Sequence, residues 1–134
     1  MSQAIADKAI TTGKVLNIIL WILQVGAAAM FLFAAYPKLT GNPQAVEGFA
    51  KIGLGQWFRY VTGGLETLGA LLLLIPRLCG LGALLLVCVM VGAIATHLLV
   101  LGGTPVPAIV LLLVTTIIAW GRRDRTLSLL GMRS

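Results

Sequence analysis

The chain has 134 residues, 59% of them hydrophobic and 10% charged, with a net charge of +6, against roughly 25% charged residues in ordinary soluble domains. Water is therefore excluded as the solvent for most of its surface, and a four-helix membrane bundle is expected to use nearly all of the length, leaving little chain for a separate catalytic domain. The basic residues flank apolar stretches and form no basic helix face with interleaved aromatics, which excludes nucleic-acid recognition.

Four apolar stretches, 15–36, 57–75, 79–101 and 105–120, each approach the ~20 residues that cross a hydrocarbon core. They predict an all-α membrane protein: one domain over 1–134, a four-transmembrane-helix bundle with a short amphipathic helix between spans one and two, and a basic tail over 121–134. Lys8 and Lys14 precede the first stretch and Ala27 to Ala29 are small, as in a signal peptide, but the apolar run continues to Tyr36. An uncleaved first span is the better reading.

With the amino terminus in the cytoplasm, Lys8, Lys14, Arg77, Arg122, Arg123, Arg125 and Arg133 lie inside and Lys38, Lys51 and Arg59 outside, a bias of seven to three. This predicts a multi-pass cell-membrane protein with both termini cytoplasmic. Tyr36, Trp57, Tyr60 and Trp120 fall near span ends, where amphipathic rings favour the headgroup region.

The connector after span one has the marks of a short helix. Asn42 caps it, Pro43 takes the first position, Glu47 and Lys51 are spaced for an ion pair, and Gly53 ends it. Val46, Phe49 and Ala50 give an apolar face that lies on the outer membrane surface and can cover the bundle mouth.

Span two carries the most informative residue. An ionised Glu66 at a helix centre costs roughly 2.5 to 3.5 kcal/mol on insertion scales and needs a partner or a water-filled cavity. Arg59, Thr62, Gly63 and Ala70 share its helix face.

Span three holds Cys79 and Cys88, nine residues apart and half a turn out of phase, which makes them small apolar fillers rather than a pair. His97 lies near its outer end. Thr104 and Pro105 open span four as cap and first residue, and Gln24, Thr96, Thr115 and Thr116 are expected to bond between helices. The tail after Gly121 reads as a stop signal on anionic lipid, with Leu127, Leu129 and Leu130 free to touch a partner.

The up-down order puts Lys38, Glu66 and His97 in the outer half of the bundle, with Arg59 at its rim. Such a group can bind a polar headgroup such as a quinone's, or relay protons. Taken singly, each has a plainer reading: a snorkelling lysine, a structural ion pair, a hydrogen-bonded histidine. One histidine, one intramembrane carboxylate and separated cysteines offer no metal-ligand spacing. No nucleophile elbow, phosphate-cradling loop or haem motif is present, so the chain reads as non-catalytic on its own.

The order of Phe33 and Lys38 closing span one, Phe49 and Gly53 in the connector, Gly63 with Glu66 in span two, Pro76 after it and His97 closing span three resembles the DoxX-like membrane family. The Lys-Leu-Thr-Gly run at Lys38 to Gly41 and the Gly-Leu-Glu run at Gly64 to Glu66 carry the resemblance. It implies a four-helix fold and an accessory role beside a membrane oxidoreductase, with a quinone as the implied small molecule. The lack of an exchangeable cysteine pair argues against a disulfide oxidoreductase. Two alternatives stay open: a structural or chaperone-like interaction protein without a ligand, and a small transporter acting as a homo-oligomer, since no inverted repeat is present.

Overall fold

The computed structural model describes residues 2–101 and 105–131, and these are helical, with no strand among them. The helices are α1 (Ser2–Thr40), α2 (Pro43–Ile52), α3 (Trp57–Leu73), α4 (Cys79–Thr96), α5 (Val106–Gly121) and α6 (Arg123–Leu129), with a π-helical turn, His97–Leu101, continuing α4.

Two helices are long and apolar enough to cross a membrane alone, within Gln3–Thr40 and Cys79–Val100. A third crossing is reached if α5 and α6, bent by 62° at their junction, count as one span. At 17 residues α3 is shorter than the ~20 that suit a perpendicular span.

The first helix departs most from the sequence expectation, since it runs over 39 residues where only 15–36 was expected. That is roughly 58 Å at 1.5 Å per residue, about twice a hydrocarbon core. No proline interrupts the sequence before Pro37, so the helix continues through the charged residues that mark the span's end. Every described side chain before Leu20 is exposed, although Asn17 still bonds to Arg122 at the end of α5.

Helix α1 packs on α3, α3 on α4, α4 on α5, and α5 returns to α1. The shared core is built from Ala27, Ala28 and Phe31 of α1, Ala70 and Leu73 of α3, Ala83, Leu86 and Met90 of α4, and Ala108 and Ile118 of α5. Small residues let the backbones approach, as packing in lipid requires because apolar burial gives no net drive there. At the α3–α4 seam, a Cβ on Gly69 would lie 2.5 Å from Leu86, and one on Gly82 would lie 2.7 Å from Leu72 Cβ and 3.0 Å from backbone atoms of Gly69 and Leu73. Outside this core the surface is apolar, with Phe33 80% and Leu113 59% exposed. A surface of that kind suits hydrocarbon.

Helix α2 begins as expected: Asn42 Oδ1 accepts from the Gln44 amide at 3.0 Å, Pro43 is the first residue, and Gly53 ends the helix at φ 83°. Glu47 and Lys51 are both exposed and make no ion pair among the described residues, since water solvates each separately. Its inward face is Ala45, Gly48, Phe49 and Ile52 rather than Val46, Phe49 and Ala50, because the helix turns over a cavity instead of lying on a flat surface.

Other expectations are corrected. Of the four polar residues expected to bond between helices, only Gln24 does. Thr96 donates to Gly92 O, Thr115 to Leu111 O and Thr116 to Leu112 O, all within their own helices, because the carbonyl four residues back is the nearest acceptor in an apolar setting. Pro105 occupies the cap position of α5 rather than its first turn, where Pro107 stands; the Thr104 cap lies outside the described residues. The tail is not simply an anchor: α6 folds back on α4, and Thr126 is buried against Gly80.

The seam predicts a contrast between two glycines. Gly82→Ala meets backbone that cannot move cheaply and should lower stability by roughly 1–3 kcal/mol, while Gly26→Ala, with nothing within 4 Å, should be neutral or stabilising. Thermal unfolding in one detergent reads both, and equal midpoints would contradict the packing.

Candidate functional site

The carboxylate of Glu66 sits on the buried face of α3 with Arg59, Gly63, Gly69, Ala70 and Leu73, and the residue is 1% exposed. An isolated charge there would be costly, so a cation must reach it. Lys38, in the last turn of α1, does so, its Nζ lying 2.7 Å from Glu66 Oε1. Gly63 makes this possible: a Cβ there would come within 3.0 Å of Leu39 and 3.1 Å of Lys38 Cβ, so its absence lets α1 close on α3.

The lysine therefore does not snorkel outward. Helical side chains lean toward the amino terminus, which aims Lys38 back along α1 into the protein, and its ammonium also donates to Ala34 O at 3.2 Å. Its side chain is 23% exposed.

Lys38 and Glu66 line a cavity of about 780 Å³ between α1, α2, α3 and α4. His97, the first residue of the π-helical turn, lines it too. Such turns recur at functional sites because they re-aim a side chain against the helical register. The rest of the wall is mainly apolar, with Phe49 and Phe58 in contact at 5.8 Å between centroids, and Ile52, Leu65, Leu85 and Val89 around them.

Among the described residues, two buried polar atoms have neither a hydrogen bond nor an ion-pair partner: His97 Nδ1 of this chamber, and Thr126 Oγ1 at the opposite end against Gly80. Glu66 Oε1 is held by the Lys38 ammonium at 2.7 Å, the length of a charge-assisted hydrogen bond. The imidazole nitrogen has neither donor nor acceptor. An orphaned polar atom in a native structure calls for a partner, and His97 Nδ1 belongs to the chamber that holds the ion pair.

Arg59 is separate from that chamber, whose wall it does not join. It is buried, donates to the Lys38 carbonyl through Nη1 and to Gln56 Oε1 through Nε at 2.8 Å, and lies 4.3 Å over the Tyr60 ring. A cation on the last carbonyls of α1 suits the negative end of that helix. Gln56 in turn donates to Val46 O at 3.0 Å, joining α2 to the same strut. Arg59 thus holds the backbone that carries Lys38.

Sequence reasoning missed a second polar cluster at the other end of α1. Arg122, assigned to the basic tail, is 5% exposed; it donates from Nε to Gln24 Oε1 at 2.7 Å and from Nη1 to Asn17 Oδ1 at 2.9 Å. Gln24 donates onward to Leu73 O at 2.8 Å. Gln24 was a signal, as a polar residue in an apolar span, but nothing in the Arg-Arg-Asp-Arg run singles out which arginine turns inward. Cys88 and Gly92 on the cavity wall were also missed as site residues.

These features define a class: a small helical membrane protein whose apolar cavity has one charged, incompletely bonded end. A model of the DoxX-like family matches residues 22–120, which include Lys38, Glu66 and His97, and the chain belongs to that family. Comparisons with curated proteins and with solved structures give no match.

The ion pair can be tested by a mutant cycle. Lys38→Met leaves Glu66 without its cation and should cost about 2–3 kcal/mol, less than the 3–5 of a fully buried pair because Lys38 keeps some exposure. Adding Glu66→Gln should recover part of the loss. Additive losses in detergent unfolding would mean that the pair is not coupled.

Proposed function

We propose that this protein is a non-catalytic membrane subunit that holds the polar head of a small, quinone-like molecule on Lys38, Glu66 and His97 for a membrane redox partner. The observation that carries this reading is a buried ion pair beside the unpartnered His97 Nδ1 in a chamber of about 780 Å³, within the 300–1,000 Å³ common for small-molecule sites. The residues suit an oxygen-bearing ring. Lys38 donates to a carbonyl oxygen, Glu66 Oε1 accepts from a hydroxyl, and His97 does either according to its tautomer. Phe49 and Phe58 offer ring faces beside them. A bound quinone would supply the electron chemistry, and this chain the orientation and the exclusion of water.

In this account α1, α3, α4 and α5 each cross the membrane, with both termini cytoplasmic. The positive-inside bias, the exposed aromatics Tyr36, Trp57, Tyr60 and Trp120, and the alternating packing of the helices support that topology. The redox partner is proposed on the family's association alone.

Native mass spectrometry of protein released from mild detergent tests the ligand. Wild type should retain an adduct of quinone mass, and Glu66→Gln should lose most of it while keeping its fold by circular dichroism. Equal retention by both proteins, or no small-molecule adduct beside a stably bound protein, would favour an interaction protein without a ligand.

A further inference from the structure

The cavity has two exposed rims of opposite character. On the outer face the wall residues that are also exposed are Asn42 and Gln44, at the start of α2. Along the α3–α4 seam they are Val61, Cys88 and Gly92.

The seam has a physical reason to open there. Gly69 and Gly82 press α3 and α4 together in their inner halves, where an added Cβ would collide at 2.5 and 2.7 Å. Toward the outer end the α4 glycine does not pack in this way. A Cβ on Gly92, or on Gly48 of α2 above it, would meet nothing within 4 Å, although both glycines line the chamber. The chamber reaches the surface between the two helices at these exposed wall residues, and that gap carries apolar walls from Val61, Leu65, Leu85 and Val89.

We infer that this gap is a lateral portal: the ligand is an amphiphile dissolved in the bilayer, and it reaches Lys38, Glu66 and His97 sideways between α3 and α4, beneath α2. The inference deepens the binding reading above and rests on it. A tailed molecule entering there keeps its apolar part in hydrocarbon throughout and gives up water only at its head. The charged end of the chamber meets the head, and the tail stays in the gap. A water-borne metabolite would instead pass Asn42 and Gln44 and exchange its hydration for Phe49, Ile52 and Phe58, an unfavourable trade for polar surface.

The native thiols give a direct test in lipid nanodiscs. Cys88 is exposed, whereas Cys79 is buried with its Sγ on Pro76 O, so a nitroxide reagent labels Cys88. Relaxation of that label should be driven by dissolved oxygen, which concentrates in the bilayer, and little by a neutral water-soluble nickel chelate. Dominance of the chelate would overturn the portal whatever the ligand is.

A second arm uses a benzoquinone bearing an alkyl tail, delivered in the membrane. Gly92→Leu should weaken its saturable binding roughly ten-fold or more by filling the gap, while Gln44→Trp should leave it unchanged. The reverse pattern overturns the portal and keeps the ligand reading. If the wild type shows no saturable binding, the quinone reading falls, and the label alone decides the portal.

Discussion

A carboxylate midway along an apolar helix is the constraint on which the α2 end of this protein depends. Glu66 can be buried only if a cation reaches it, and the nearest is at the end of a different helix. That requirement fixes how closely α1 and α3 approach at Gly63, why Lys38 turns inward, and why Arg59 is spent on the Lys38 carbonyl rather than on Glu66 itself. Gln56 then carries the same strut to α2. The chamber roof, the ion pair and the α1–α3 contact are consequences of one buried charge.

The opposite end of the helices solves the same problem with the sign reversed. Arg122 is buried without a carboxylate, and its guanidinium spreads over the side-chain oxygens of Gln24 and Asn17. Planar donors permit this division, which an ammonium could not make with the same geometry. With Gln24 bonded to Leu73 O, α1 is tied to α3 and to the end of α5, so polar contacts hold the helices at both ends while small apolar residues fill the middle. The side chains of Arg122, Gln24 and Asn17 satisfy one another and open on no shared chamber, whereas His97 Nδ1 is left without a partner on the wall of a cavity. That difference, rather than the mere presence of buried charge, separates a structural pin from a candidate site.

Much of the outer cluster was legible because depth is readable from a linear sequence. Helix length gives the depth of Lys38, Glu66 and His97, and the 3.6-residue period puts Gly63 and Ala70 on the face of Glu66. Rotation between helices is not readable in this way, so Arg59, at the right depth, went to the rim of a site whose wall it does not join. Arg122 was obscured by two neighbouring arginines that do stay outside. The hydroxyls of Thr96, Thr115 and Thr116 were assigned long-range partners because a sequence does not show that the local carbonyl wins. Helix α1 overran its expected start because lysines end a hydrophobic stretch without ending a helix. The caps of α2, by contrast, are local chemistry, and Asn42, Pro43 and Gly53 were read correctly for that reason.

The central claim is that Glu66 is held as an anion by Lys38 inside an apolar protein. The sequence has two glutamates, Glu47 and Glu66, so a Glu47→Gln protein labelled with carbon-13 at the glutamate side-chain carboxyl reports Glu66 alone in the infrared. The account predicts an ionised carboxylate band that gives way to a protonated carboxyl band when Lys38→Met is added. A protonated carboxyl in both proteins, or a carboxylate indifferent to the loss of Lys38, would contradict it.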